Sequence, residues 1–142
     1  MSSCLVLGYD RTESARAAAQ WAAEQLQPHG RLVIVHSGRP LHAPPSALST
    51  PQERRRLGRA MVDELLLEGD DSLLDLEIEV EVEDRDPVSA LVDAAERYEA
   101  EAIVVGSDPH SRLHTAIGTV TVELLKASPV PVIVVPRAAV AS

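Results

Sequence analysis

The chain contains no Phe, and Trp21, Tyr9 and Tyr98 are its whole complement of Phe, Trp and Tyr. That leaves few platforms on which unpaired bases could stack. Positive charge is also scarce: 13 Lys and Arg stand against 22 Asp and Glu, a net charge of −9. Such a surface repels phosphate backbones and anionic lipid at long range, which argues against a nucleic-acid or membrane-surface binder. The single cysteine, Cys4, excludes an internal disulfide framework and a Cys-cluster metal site. No apolar run approaches the ~18 residues of a membrane span. The opening MSSCLVLGYD carries no basic segment before its apolar stretch and meets Gly8 and Asp10 early. Nor does a hydrophobic stretch precede Cys4. A cytoplasmic protein with a reduced, buried Cys4 is therefore expected.

What is present is a core-forming aliphatic composition. Of 64 residues in the AVILMFWYC set, Ala, Val and Leu supply 53, in a chain of 142 residues. That length suits one domain over residues 1–142.

Apolar runs and helical stretches alternate along it. Residues 4–8 (CLVLG) read as a short buried strand. Residues 13–26 form an Ala-rich helix with Ala15, Ala18, Ala22 and Leu26 on one stripe and either Asp10 or Thr12 as its cap. Pro28-His29-Gly30 stops it, and residues 32–36 (LVIVH) read as a second buried strand. Residues 38–51 hold four of the ten prolines and read as a loop. A helix over roughly 52–68 follows, opened by Arg54, Arg55 and Arg56, with Leu57, Met61 and Leu65 as its stripe.

Residues 76–83 (LEIEVEVE) alternate strictly: Leu76, Ile78, Val80 and Val82 point one way, Glu77, Glu79, Glu81 and Glu83 the other. One polar face marks this as an edge strand, with the glutamate row read as a solvated face that discourages pairing by another chain. Asp86-Pro87 caps and opens a helix with Val88, Leu91, Ala95 and Tyr98 inward. Residues 102–106 (AIVVG) form a fourth strand. The last helix starts at Gly118-Thr119 with Val120, Leu124 and Ala127 inward, ends at Ser128-Pro129, and precedes a fifth strand at 132–135 (VIVV). Strands separated by helices imply an α/β fold: one open five-stranded parallel sheet with helices on both faces. With residues 76–83 at an edge, the strand order is read as 3-2-1-4-5.

Ligands of such sheets bind beyond the carboxyl ends of the strands, where strand order reverses. In this order the first and fourth strands are neighbours there, carrying Gly8-Tyr9-Asp10-Arg11-Thr12 and Gly106-Ser107-Asp108. Free amides at Gly118 and Thr119 could receive a phosphate. Neither G-x-x-x-x-G-K-[ST] nor G-x-G-x-x-G occurs, which argues against a P-loop enzyme or a dinucleotide fingerprint. His110 and His114 have the i, i+4 spacing of metal pairs, with Asp108 nearby, but no His-Glu pair accompanies them; no metal site is expected. His36, at a strand end, reads as a hydrogen-bonded structural residue. Ser107 lacks a G-x-S-x-G elbow, so no catalytic residue is assigned and the protein is not expected to be an enzyme.

These residues resemble the universal stress protein family over nearly the whole chain except 39–75. The likeness is carried by Val6-Leu7-Gly8-Tyr9-Asp10 before an Ala-rich helix, Val35-His36-Ser37, Asp86-Pro87 and the ending Pro131 to Val135. It implies a Rossmann-like sheet of the adenine-nucleotide alpha-hydrolase type. Its nucleotide-binding branch carries G-x2-G-x9-G-[S/T]; here Gly106, Gly118 and Thr119 are kept, Pro109 replaces the middle glycine, and the loop is one residue shorter. Pro removes an N–H from a cradle built of backbone amides. The resemblance implies that Asp10 and Ser37 approach the adenosine of ATP or another adenine nucleotide, with Mg, and that Tyr9 and Gly106 also belong to the nucleotide site. It sets Ser107, Gly118, Thr119 and Val120 at the phosphates, with Arg11 or Arg112 as compensating charge. It also implies a homodimer paired through Val132, Ile133, Val134 and Val135, an edge without protective charges. The expected function is a regulatory stress-response protein. The alternatives are a nucleotide-free interaction protein and a slow ATPase.

Overall fold

The computed structural model describes residues 3–26, 28–37, 50–68, 73–107 and 119–136. Its elements are β1 (Cys4–Gly8), α1 (Glu13–Gln25), β2 (Arg31–Ser37), α2 (Pro51–Glu68), β3 (Glu77–Glu83), α3 (Pro87–Arg97), β4 (Ala102–Gly106), α4 (Thr119–Ala127) and β5 (Val132–Val135). The five strands form one sheet in the order β3-β2-β1-β4-β5, with every neighbouring pair parallel. β1 is paired on both sides, Leu7 lying opposite Ile34 of β2 and Val104 of β4.

Two-sided burial explains the continuous apolar runs of β1, β2 and β4. Successive side chains alternate between two cores. Leu5, Leu7, Leu32, Ile34 and Val104 pack in one with the alanines of α1 and with Val62 and Leu65 of α2. Cys4, Val6, Val33, Val35, Ile103 and Val105 pack in the other with α3 and Leu124 of α4. Leu7, Ile34 and Ile103 are wholly buried, each worth about 1.5–3 kcal/mol relative to exposure. Ala15, Ala18 and Ala22 turn inward as expected, and their small side chains let α1 lie close to the sheet. Trp21 packs half-buried against the same cluster. Burial pushes the Cys4 thiol above its ordinary range, which keeps it protonated.

Helix starts follow local chemistry. Of the two candidate caps for α1, Thr12 takes the role, its hydroxyl oxygen accepting from the Ala15 amide at 3.1 Å. Asp86 caps α3 by accepting from the Ser89 amide at 2.9 Å, ahead of Pro87. α2 begins with a capping box that sequence reading passed over. The Glu53 amide donates to the Thr50 hydroxyl at 3.1 Å, the Thr50 amide donates to the Glu53 carboxylate at 3.3 Å, and Pro51 is the first helical residue. The expected loop at 38–51 therefore ends one residue early; its residues 38–49 lie outside the described ones.

Three expectations about faces need correction. The buried positions of α2 are Gly58, Val62 and Leu65, with Met61 beside them, whereas Leu57 is 61% exposed. The helix is rotated because Gly58 sits directly on His36: a β-carbon there would lie 2.3 Å from the ring Cδ2 and 2.9 Å from Val82 Cγ1. In α4, Leu124 is buried and Val120 half-buried, but Ala127 is exposed and Thr121 is buried instead. In β3, which begins at Glu77, the glutamate row is only half solvated. Glu77 and Glu79 are exposed, while Glu81 accepts from the Tyr98 hydroxyl at 2.7 Å and pairs with Arg97 at 3.1 Å, and Glu83 pairs with Arg85 at 3.0 Å. The carboxylates thus meet the end of α3 as well as water. The hydrogen bond to Glu81, with burial behind it, raises the Tyr98 pKa.

Two substitutions test these packing arguments. Gly58→Ala gains helix propensity yet meets the His36 ring and Val82; a net loss of about 1–3 kcal/mol is expected from the urea midpoint. Arg11 holds a left-handed backbone, φ 70°, and its ion pair with Glu64 is exposed. Arg11→Gly should therefore raise stability by about 0.5–1 kcal/mol, and Arg11→Ala should not, in the same measurement.

Candidate functional site

Strand order reverses at β1, whose chain continues to β2 on one side while β4 arrives on the other. At this carboxyl edge the fold gathers Tyr9 and Asp10 after β1, Ser37 at the end of β2, Gly106 and Ser107 at the end of β4, and Thr119 at the start of α4. Gly118 lies outside the described residues, as do Asp108, Pro109, His110, Arg112 and His114.

Asp10 is exposed and is oriented by the turn that follows it. Its Oδ1 accepts from the Thr12 hydroxyl at 2.6 Å and from the Thr12 amide at 3.2 Å. The same hydroxyl oxygen caps α1, so the carboxylate, the cap and the helix amide at Ala15 form one relay. A negative charge beside the first turn of α1 is favoured by the exposed amides there. Between the two lies Arg11, whose left-handed backbone sends its guanidinium to Glu64 of α2 at 3.3 Å. Arg16 reaches the same carboxylate at 3.2 Å. Arg11, expected as compensating charge for the phosphates, is an exposed side chain paired with α2.

Tyr9 contributes backbone more than side chain. Its amide donates to the Val35 carbonyl at 2.9 Å, and its carbonyl accepts from His36 Nδ1 at 2.8 Å. The phenol is 3% exposed within the α1–α2 core, and its hydroxyl has no hydrogen-bond partner. Burial raises its pKa, with the nearby guanidinium of Arg16 pulling the other way. Such a side chain offers the edge no exposed wall. Ser37 is half-buried and donates its hydroxyl hydrogen to the backbone carbonyl of Arg85, so it tethers the ends of β2 and β3 and keeps only acceptor capacity.

Gly106 has a packing reason of its own. A β-carbon there would lie 2.4 Å from Ser14 Oγ and 2.5 Å from the Ser14 backbone carbon, so only glycine lets the first turn of α1 rest on the end of β4. Ser107 continues the ladder, its amide donating to the Val135 carbonyl at 3.0 Å. Thr119 is exposed as the first residue of α4, and Val120 packs against the core shared with α3.

Some residues that shape this edge were not singled out from sequence. Gly58 seats the His36 ring. Arg54 and Asp84 form a bidentate ion pair at 2.5 and 2.9 Å, with side chains 12% and 3% exposed, that fastens the start of α2 to the turn after β3. A glycine inside an otherwise helical pattern was the available signal for the first. An arginine and an aspartate 30 positions apart gave none for the second.

A depression of about 590 Å³ lies elsewhere, lined by Glu83, Arg85, Asp93, Glu96 and Arg97 on the β3–α3 side. Arg85 in it pairs with Glu83 at 3.0 Å and with Asp93 at 2.6 Å, and Arg97 pairs with Glu81 of β3. Among the described residues, no group of three or more His, Cys, Asp or Glu side chains is placed to hold a metal ion. No described helix is long and apolar enough to cross a membrane.

The fold has many solved counterparts. A universal stress protein from Lactobacillus plantarum superposes with a TM-score of 0.67 at 20% identity, over 94% of this chain and 97% of the other. One solved in complex with cAMP gives 0.65 at 23% identity, over 96% and 98%. A family member from Arabidopsis thaliana with AMP bound gives 0.63 at 16% identity, over 95% and 92%. No curated protein sequence matches. The family model described as the universal stress protein family matches residues 1–136, a span that begins before β1 and ends just after β5. With the strand order, the Asp10 turn and the Asp86-Pro87 helix start all falling inside that match, this chain belongs to the universal stress protein family.

Proposed function

We propose that this protein is a regulatory stress-response protein that binds an adenine nucleotide at the β1–β4 edge. On this reading the ligand changes which surface or partner the protein presents, and no chemical step follows. The observation that carries the reading is the pairing of β1 with β4 in a fold whose solved counterparts include proteins holding cAMP and AMP. Asp10, oriented by Thr12, suits the hydroxyls of a ribose. Ser37 has an acceptor to offer the exocyclic amino group of adenine. Ser107, Gly118, Thr119 and Val120 would meet the phosphates, Gly118 and Thr119 through amides at a helix start, with Mg as counter-charge for ATP. Tyr9 supports the site through its backbone rather than as a wall.

Pro109 favours a second reading, a nucleotide-free interaction protein, because it stands where the family's cradle has its middle glycine. We also propose that the protein acts in the cytosol as a homodimer. β5 is an edge strand with Val132, Ile133 and Val134 only half-buried. The carbonyls of Pro131 and Val135 accept from β4, so by the alternation of a parallel ladder the Val132 and Val134 amides face the free edge.

Calorimetric titration with ATP and Mg²⁺, AMP and cAMP should give saturable heat with at least one of them. Thr119→Ala and Asp10→Ala should each weaken that binding about tenfold, the effect of a lost hydrogen bond to a charged group. Pro109→Gly should tighten it. Absence of heat with all three in the natural chain, with binding appearing only in Pro109→Gly, would establish the second reading. Light scattering at micromolar concentration should give a dimer mass. Val134→Pro, which removes an outward-facing amide, should give a folded monomer; a monomeric natural chain would refute the dimer.

A further inference from the structure

We propose that His36 is the positioning residue of the β1–α1 turn, fixing where Asp10 leaves the sheet; its bearing on ligand affinity rests on the nucleotide reading above. β1 and β2 end their pairing at Gly8 and Val35. One residue beyond, Tyr9 is held through both of its backbone polar groups by consecutive residues of β2. Its amide donates to the Val35 carbonyl at 2.9 Å, and its carbonyl receives His36 Nδ1 at 2.8 Å. A carbonyl can only accept, so Nδ1 carries the hydrogen. The imidazole thus supplies, from a side chain, the rung that the ladder no longer provides.

The ring has no room to turn away. Gly58 lies against it so closely that a β-carbon there would stand 2.3 Å from Cδ2 and 3.1 Å from Nε2. α2 is in turn fastened by Arg54 to Asp84. His36 is buried, and it is clamped between a helix and the carbonyl preceding Asp10. The Asp10 carboxylate then receives both bonds from Thr12. The histidine matters here for its donor at the δ position, not for its charge. An apolar residue would fill the space but strand a buried carbonyl, which then seeks another partner by moving.

Two substitutions separate donor from bulk. His36→Asn returns an amide nitrogen to the place of Nδ1, while His36→Leu fills the volume without a donor. In the ligand-free protein, His36→Leu should speed hydrogen exchange of the Thr12 and Ala15 amides by about tenfold or more, the effect of one lost buried hydrogen bond. The Leu26 and Ile103 amides should not change, and His36→Asn should stay within about twofold of the natural chain. AMP affinity should follow the same order: about tenfold weaker in His36→Leu and near normal in His36→Asn. Leu26→Ala, at the far end of α1, should lower stability without changing affinity. If His36→Leu does not fold, His36→Gln, whose amide reaches the Nε2 position instead, takes its place. Equal exchange at Thr12 and Ala15 in the donor-bearing and donor-lacking variants would overturn the proposal, as would equal loss of AMP affinity in both. Failure of the natural chain to bind AMP would defeat the nucleotide reading alone, because the exchange measurement made without ligand still decides the role of His36.

Discussion

The chain has four residues, Tyr9 to Thr12, in which to leave a buried strand, reverse direction and start a helix that lies back across the sheet. That short turn is the constraint on which the rest depends. It must satisfy amides at the start of α1, bring that helix against β4, and leave a carboxylate at the open edge. Thr12 meets the first demand and Gly106 the second, the latter by having no β-carbon to strike Ser14. Asp10 meets the third while bonded to the same threonine that caps the helix. Arg11 meets the geometric requirement with a left-handed backbone that a glycine would adopt more easily.

The parallel sheet was legible because two-sided burial writes itself as unbroken apolar runs. CLVLG, LVIVH, AIVVG and VIVV each fall on an observed strand, and the alternation from Glu77 onward marks an edge. The order read with β3 at that edge, 3-2-1-4-5, is the observed one. Helix faces were less legible, since an apolar stripe is a statement about one helix and burial is a statement about two surfaces. Leu57 fits the stripe of α2 but faces outward, because Gly58 must sit on His36. A glycine in a helix usually signals weakness; here it records the close approach of an imidazole. The glutamates of β3 read as one solvated row, yet α3 brings Arg97 and Tyr98 to Glu81.

The candidate site was legible as a set of loops and less so as a set of side-chain roles. Topology alone puts the residues after β1, β2 and β4 on one rim. What Tyr9 does there depends on its burial, and what Ser37 does depends on the Arg85 carbonyl, a backbone atom 48 positions away. His36 was read as structural, and its bond to Tyr9 agrees. The direction of that bond, toward the residue before Asp10, needed coordinates. Long-range polar pairs such as Arg54 with Asp84 leave no trace in periodicity or spacing.

The two margins of the sheet are chemically unlike. One carries carboxylates along β3; the other is the short aliphatic ribbon of β5. A tile with one sticky border and one repelling border has a built-in stopping rule. In the homodimer proposed above, sticky would meet sticky, so a second copy would use up the β5 border and leave the carboxylate borders of β3 outermost.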